Sequence, residues 1–528
     1  AAAVGAAVGK PAAKRGGARE GWTAGACVGI DLGTTNSAVA AVLGGKAAIL
    51  ADADGGAVTP SVVSFLGPHA TPRSAVRQCG VLVGEQAQRM QVINPHSTYA
   101  STKRLIGRTA SEAELRSLAA LDVPATADGV TAGGVLLPCP ALRTTLSPVD
   151  VAAELISSLR SQAEGQLRTD VSAAVVTVPA YFDASQRNAT KAACLLAGLE
   201  RVRLLREPEA AALTYALDVR GDERVMVFDL GGGTFDVSIV DVGGGVVEVI
   251  ATSGDPRVGG NDWDLTIAAW LEEQYHAQHG VPLRGLAYRR VLDAAVEAKH
   301  ALSLHATTVI EVPFLDGERG LGPITLSRRK FEALCRPLLL KLVPPLKEAM
   351  ELAGLELEQD IGTLEMGDAR HLPPSRQQWQ RQVAWRWRRL AKKAGVSSEQ
   401  GGAGGESSPR LQRFAHAVPV SKVLLVGGAT RMPCIGRFLK RLTGLSARPV
   451  VDPEEAVALG AAVSAGILSG AIDQKVYNPF FDERMARSMA PARKGAAGRK
   501  SSKQPSKKKP AEPLSAEAVA AAAAVRRA

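Results

Sequence analysis

The sequence predicts an α/β protein of two similar lobes. Two observations carry that expectation. Apolar strands alternate with amphipathic helical stretches along most of the chain. A strand-turn-strand unit also occurs twice, as "CVGIDLGTTNSAVAAVLGGKAAIL" and "RVMVFDLGGGTFDVSIVDVGGGVVEVIA". In each copy Asp-Leu-Gly ends an apolar strand, a Thr follows, and a second strand runs to a glycine turn, at Gly44 and Gly45 or at Gly243–Gly245. A repeat of about two hundred residues is too long for a solenoid and is what a duplicated domain leaves.

The 528 residues suffice for several domains, and 46% hydrophobic with 22% charged residues is an ordinary globular balance. Aromatics are only 4%, so the core is expected to be aliphatic. The net charge of +11 is unevenly spread. Residues 484–528 carry 12 Lys/Arg and 2 Asp/Glu, residues 362–417 carry 10 and 4, and residues 1–20 carry 4 and 1, leaving the remainder at −8. An acidic body with basic ends does not describe a specific nucleic-acid reader. The six cysteines (Cys27, Cys79, Cys139, Cys194, Cys335, Cys434) form no CxxC pair, so neither a metal nor a disulfide framework is expected, as in a reducing compartment. No apolar run approaches the ~18–20 residues of a membrane span.

In chain order, residues 1–25 read as a tail, basic and acid-free as far as Arg19, of the kind that targets proteins to organelles; a plastid is expected, with the cytoplasm as the alternative. Residues 26–220 form the first lobe and 221–484 the second, followed by a basic tail at 485–528 with too little to bury. Helices are expected at 148–166 with Ser147 as N-cap, and at 184–196, 208–217, 262–276, 288–302, 327–353 and 432–442. Strands are expected at 173–178, 203–205, 308–312 and 423–426. Residues 362–417 break the pattern: "WQRQVAWRWRRLAKKAG" holds three of the six Trp, and the segment reads either as a surface insert or as translated non-coding sequence.

Three loops carry chemistry. In "FDLGGGTFD" at 228–236, three glycines let backbone N–H groups approach a phosphate. The flanking Asp229 and Asp236 would repel that phosphate unless a cation lay between, and Mg²⁺, which keeps waters, fits. Thr234 offers a hydroxyl. "IDLGTTNS" at 30–37 is the opposing jaw, and "VLLVGGATRMP" at 423–433 is a strand-to-helix turn suited to an anion or a ribose, with Arg431 able to stack on a base. "GAAVGKP" at 5–11 fails as a P-loop, being too short, followed by Pro and preceded by no strand.

These loops, with "TPSVVSF" at 59, "STKRLIGR" at 101, "VVTVPAYFDASQRNATKAA" at 175, "GGNDWD" at 259 and "DPEEAVALGAAVSAGIL" at 452, resemble the nucleotide-binding domain of the heat-shock protein 70 (DnaK-type) chaperones over roughly residues 26–361 and 418–475. The resemblance implies an actin/hexokinase-like fold and an ATPase active in protein folding, with ATP/ADP, Mg²⁺ and additionally K⁺ as cofactors. It implies co-chaperones or nucleotide exchange factors as partners, and neither a membrane nor a specific nucleic acid. Asp31, Gly33, Thr34, Thr35 and Asn36 would form the first phosphate loop and Gly231, Gly232 and Gly233 the second, with Gly259 and Gly260 beside them. Lys103 would orient the attacking water and Glu207 would position it. Asp31 and Asp229 would hold Mg²⁺ through waters, Asp229 and Asp236 would organise those waters for catalysis, and Thr234 would touch the γ-phosphate. Lys299, Ser303, Gly427, Gly428, Arg431 and Glu454 would hold adenosine.

The chain departs from that pattern at Val296, where a Glu is usual, at His300, at Ala429 in place of Ser, at Glu454 in place of Asp, and at Arg206 and Glu209 in place of Asn and Thr. Lost polar contacts cost about 1–3 kcal/mol each where a partner stays buried, so weaker nucleotide affinity is expected. No apolar linker follows Ile472, so a peptide-gripping domain is not expected. Three functions compete: a slow ATPase, a nucleotide-sensing module with little turnover, and a metabolite kinase of the same superfold. The chaperone-type strings disfavour the third.

Overall fold

A computed structural model describes residues 26–52, 54–67, 80–108, 130–131, 134–216, 221–243, 246–317, 319–355, 419–447, 449 and 451–472. The segment 362–417, the tails and the stretch after residue 472 lie outside the described residues.

Strand β1 (Ala26–Asp31), β2 (Asn36–Leu43) and β3 (Lys46–Ile49) form an antiparallel meander. Gly44 and Gly45 both have positive φ, 57° and 83°, as the tight β2–β3 turn requires. Helix α1 (Glu85–Ile93) leads through a 3-10 turn at Thr102–Arg104 to α2 (Pro148–Leu167). Ser147 caps α2 as expected, accepting from the Asp150 N–H at 3.2 Å, and Asp150 answers in a capping box. Strand β4 (Val171–Val178), α3 (Ala184–Leu196), β5 (Arg201–Arg206) and α4 (Glu207–Ala216) follow. The first sheet runs β5-β4-β1-β2-β3, with β4 and β5 parallel to β1 and the pair Thr59–Pro60 added against β2.

The second sheet repeats that plan. β6 (Glu223–Leu230), β7 (Phe235–Gly243) and β8 (Val246–Asp255) form the meander. After α5 (Gly260–His279), α6 (Gly285–Leu304), and the hairpin β9 (Thr307–Asp316) and β10 (Arg319–Ser327), the chain makes α7 (Arg328–Leu334), α8 (Arg336–Lys341) and α9 (Val343–Leu352). β11 (Val420–Val426) then pairs parallel to β6, as β4 pairs to β1. The order β8-β7-β6-β11 mirrors β3-β2-β1-β4, which is the pseudo-symmetry the repeat predicted.

One expected element fails. The single helix at 327–353 is three short ones. Pro337, Pro344 and Pro345 lack the N–H a helix interior needs, so each falls in the first turn of a new helix. Helix α10 (Pro433–Thr443) precedes α11 (Ala456–Ser469).

Each sheet has its own core. Val28, Ile30, Tyr99 and Leu159 lie in the first and Phe228, Phe235, Trp263 and Tyr275 in the second. A third cluster draws on both sheets through Val175, Val227, Leu424 and Ala461. Its centre is α11, almost wholly buried and rich in Ala and Gly, which lets backbones touch. A Cβ on Gly460 would lie 1.7 Å from the Ala210 carbonyl oxygen, and one on Gly29 2.1 Å from the Ala462 nitrogen. Among the described residues no helix is long and apolar enough to cross a membrane.

Candidate functional site

Every parallel strand beside a meander ends at one cleft of about 2150 Å³, and the three glycine loops line it together. Asp31, Gly33, Thr34, Thr35 and Asn36 come from the β1–β2 turn, and Asp229 and Gly231–Thr234 from the equivalent β6–β7 turn. Gly427, Gly428, Arg431 and Glu454 come from the strand-to-helix side. Lys103, Glu207, Gly260, Lys299 and Ser303 complete the expected set on its wall. Asp236 and Gly259 do not line it. Asp236 sits opposite Asp229 across the β6–β7 ladder, and a Cβ on Gly259 would lie 2.5 Å from the Gly233 nitrogen, so this glycine backs the phosphate loop.

The two jaws meet closely. A Cβ on Gly232 would lie 2.3 Å from Thr35 Oγ1, and the Gly260 and Asn261 N–H groups donate to the Gly231 and Gly232 carbonyls at 2.9 and 2.7 Å. Gly427, at φ 80°, brings the third loop against the Leu230 carbonyl, where a Cβ would be 2.3 Å away.

Between the jaws lies a cluster of acids with one ammonium among them. Lys103 Nζ donates to Glu207 Oε1 at 2.5 Å, with side chains 9% and 11% exposed. Asp31 accepts from the Thr177 hydroxyl at 2.7 Å. Burial, then the Glu207 carboxylate, pushes Asp31 up to about 6 and Asp236 up to about 8. The same causes hold Asp229 well above the usual carboxylate range. Burial alone would lower Lys103, but Glu207 and Asp31 outweigh it and keep the ammonium charged.

The residues present fit a phosphate chain with a divalent cation. Thr35 Oγ1 is buried with no hydrogen-bond partner among the described residues, in the mouth of the glycine cradle. The acids are desolvated beyond what one lysine neutralises. Among the described residues no three His, Cys, Asp or Glu side chains are set to ligate a metal directly. A cation here would be held through waters and ligand oxygens, as read for Asp31 and Asp229.

At the end of the cleft expected to hold adenosine, Lys299 and Ser303 line the wall and also make contacts within the protein. Lys299 is buried and donates to Asp264 Oδ2 at 2.7 Å and to the Gly260 carbonyl at 3.2 Å, so its ammonium braces the second phosphate loop. The Ser303 hydroxyl turns back to the Lys299 carbonyl at 3.2 Å. Val296, His300 and Ala429 do line the cleft. Arg206 and Glu209 do not: they pair with each other at 3.6 Å, with Glu209 buried.

Sequence reasoning missed Arg104 and Asp264. Arg104 reaches across the cleft to the Gly233 carbonyl, and its Nε is buried with no partner among the described residues. Its only signal was adjacency to Lys103 in "STKRLIGR"; Asp264 lay unremarked in "GGNDWD".

Comparison with known proteins bears on this cleft. The family model described as Hsp70 protein matches residues 27–377 and 415–478. Chaperone protein DnaK 1 of Synechococcus sp. is 39% identical over 453 residues, 85% of this chain and 51% of that relative. Chaperone protein dnaK1 of Nostoc sp. is also 39% identical over 453 residues, 84% of this chain and 55% of the relative. Chaperone protein dnaK of Thalassiosira pseudonana is 36% identical over 451 residues, 84% of this chain and 63% of the relative. The chain thus spans about half to three-fifths of the curated relatives it matches.

Proposed function

We propose, from the premise that this chain belongs to the Hsp70 family with its actin/hexokinase-like fold, that the cleft binds ATP with Mg²⁺ and hydrolyses it slowly to ADP and phosphate in the service of protein folding. The observation that carries the reading is the Lys103–Glu207 pair set among Asp31, Asp229 and Asp236 and facing the glycine loops. In phosphoryl transfer the protein mostly positions groups and balances charge, which is what such a cluster can do.

Lys103 Nζ supplies a positive charge beside the transferred phosphoryl group, and Glu207, held by Lys103, accepts a hydrogen bond from the attacking water. The Gly33 and Gly231 N–H groups are spent within their own turns, on Ser37 Oγ at 3.1 Å and the Thr234 carbonyl at 3.0 Å, so the N–H groups of 34–35 and 232–233 cradle the phosphates, and the Thr35 and Thr234 hydroxyls donate to their oxygens. The carboxylates of Asp31 and Asp229 would hold Mg²⁺ through its waters, with Asp236 behind them, and the ion when bound would supply charge neutralisation at the phosphate oxygens. K⁺ is a further ion of the reading. Gly427, Gly428, Arg431 and Glu454 flank the nucleoside, with residues 26–220 and 221–484 acting as the two lobes. Co-chaperones or exchange factors are the partners this reading implies, and a plastid agrees with relatives from cyanobacteria and algae.

The test is phosphate release from Mg-ATP by the purified full chain. Turnover that disappears in Lys103→Ala supports the reading. A wild-type chain that binds ATP without releasing phosphate would instead be a nucleotide-sensing module.

A further inference from the structure

At the end of the cleft assigned to the nucleoside, Arg431 has a partner, Asp452, that the reading so far leaves unused. Arg431 lies in the short turn after β11 and lines the cleft. Its Nη2 donates to Asp452 Oδ1 at 2.5 Å, to Asp452 Oδ2 at 2.6 Å and to Glu454 Oε2 at 3.4 Å. Asp452 itself does not line the cleft. The geometry points to Asp452 as a positioning residue: it fixes the Arg431 guanidinium at the nucleoside end of the cleft and so sets affinity for the nucleoside part of the ligand, resting on the nucleotide-binding reading above.

Four features support this role. First, all three bonds converge on one nitrogen, so the tether restrains the guanidinium while the rest of its plane can face a ligand. Second, Asp452 is itself fixed: the Glu454 N–H donates to Asp452 Oδ1 at 3.0 Å, and the Glu455 and Ala456 N–H groups donate to its carbonyl at 3.0 Å. Although partial burial opposes ionisation, the Arg431 and Glu454 bonds hold its carboxyl below the usual carboxylate range. Third, the turn carrying Asp452 is stitched to the third glycine loop, since the Gly427 N–H donates to the Pro453 carbonyl at 2.9 Å. Fourth, Glu454 joins this group to the opposite jaw by accepting from Asn36 Nδ2 at 3.4 Å.

An untethered arginine, 46% exposed, would sample many rotamers, and ordering it on binding would cost affinity. A tethered one has lost that freedom before the ligand arrives. Asp452 can therefore matter to a ligand it does not touch, and only to a ligand that has a nucleoside.

Calorimetric titration of the full chain with ADP and, separately, with inorganic tripolyphosphate, each with Mg²⁺, tests this. Asp452→Ala should weaken ADP by about tenfold or more, the scale of one charged hydrogen-bonding partner, and leave tripolyphosphate within twofold. Asp452→Asn keeps acceptors for Arg431 and for the Glu454 N–H and should recover most of the ADP affinity. Adding Asp452→Ala to Arg431→Ala should cost no further ADP affinity, because the tether then has nothing to hold. Equal loss for both ligands, or ADP binding unchanged in Asp452→Ala, overturns the inference and leaves the nucleotide reading standing. A wild-type chain that binds neither ligand overturns both.

Discussion

Lys103 and Glu207, separated by 104 residues in sequence, meet through a 2.5 Å bond in the middle of the cleft. Among the described residues Lys103 is the cation that offsets Glu207, Asp31 and Asp229 together. Removing it does two separable things. Lys103→Ala should lower single-turnover hydrolysis by about 100-fold or more, the usual effect of deleting a charge aimed at the transition state. It should also destabilise the fold, because Glu207 is left buried beside like charges. The double variant Lys103→Ala/Glu207→Gln should regain stability in denaturant titration and remain inactive. Recovery of activity in the double variant would contradict the assignment of Lys103.

The acid cluster gives the cation-free protein a particular pH dependence. Asp31 and Asp236 rise from an ordinary value of 3.8 to about 6 and about 8, mainly through burial and then through Glu207, and Asp229 rises with them. Between pH 4 and 8 the folded chain therefore binds more protons than the unfolded chain, and stability falls as pH rises through that window. Melting in a chelator should occur at lower temperature at pH 8 than at pH 5, and added Mg-ADP should narrow the gap. A higher melting temperature at pH 8 without divalent cation would mean that the carboxyls ionise freely.

Val296 and Ala429 line the cleft where the proposed nucleoside would lie and offer it no polar side-chain atom. ADP should consequently bind this chain more weakly than it binds relatives with Glu and Ser at those positions. Val296→Glu should tighten ADP by about tenfold, one hydrogen-bonding partner's worth, in the same calorimetric assay. Ordinary tight binding by the wild-type chain would show that another contact replaces them.

How much of this was legible depended on the range of the signal. The duplicated meander could be read because its determinants are local: period-2 strands and a Gly44–Gly45 turn with both φ positive. Strand β4 and helix α3 were found for the same reason, and α3 matches residue for residue. The break of 327–353 into three helices was also written locally, in Pro337, Pro344 and Pro345, but the apolar periodicity outweighed it in the reading. The cleft was different. Its glycine loops announce themselves, whereas Lys103 and Glu207 entered only through resemblance. Arg104, Asp264 and Asp452 escaped because their roles depend on Gly233, Lys299 and Arg431, partners that only folding brings near.

Two glycines should respond in opposite directions to the same substitution. Gly460 lies where α11 crosses α4, and a Cβ there would be 1.7 Å from the Ala210 carbonyl oxygen. That oxygen is backbone, so α11 and α4 must separate. Gly460→Ala should cost about 3 kcal/mol, the upper end of overpacking penalties. It should also slow hydrolysis, since Glu207 opens α4 and a shifted α4 carries that carboxylate away from Lys103. Gly165 lies in α2 with nothing within 4 Å of its missing Cβ. Gly165→Ala should stabilise by up to about 1 kcal/mol through helix propensity and leave turnover unchanged. Denaturant titration and phosphate release on both variants test the pair. A neutral Gly460→Ala would mean that the two helices do not need the contact their glycine and alanines allow.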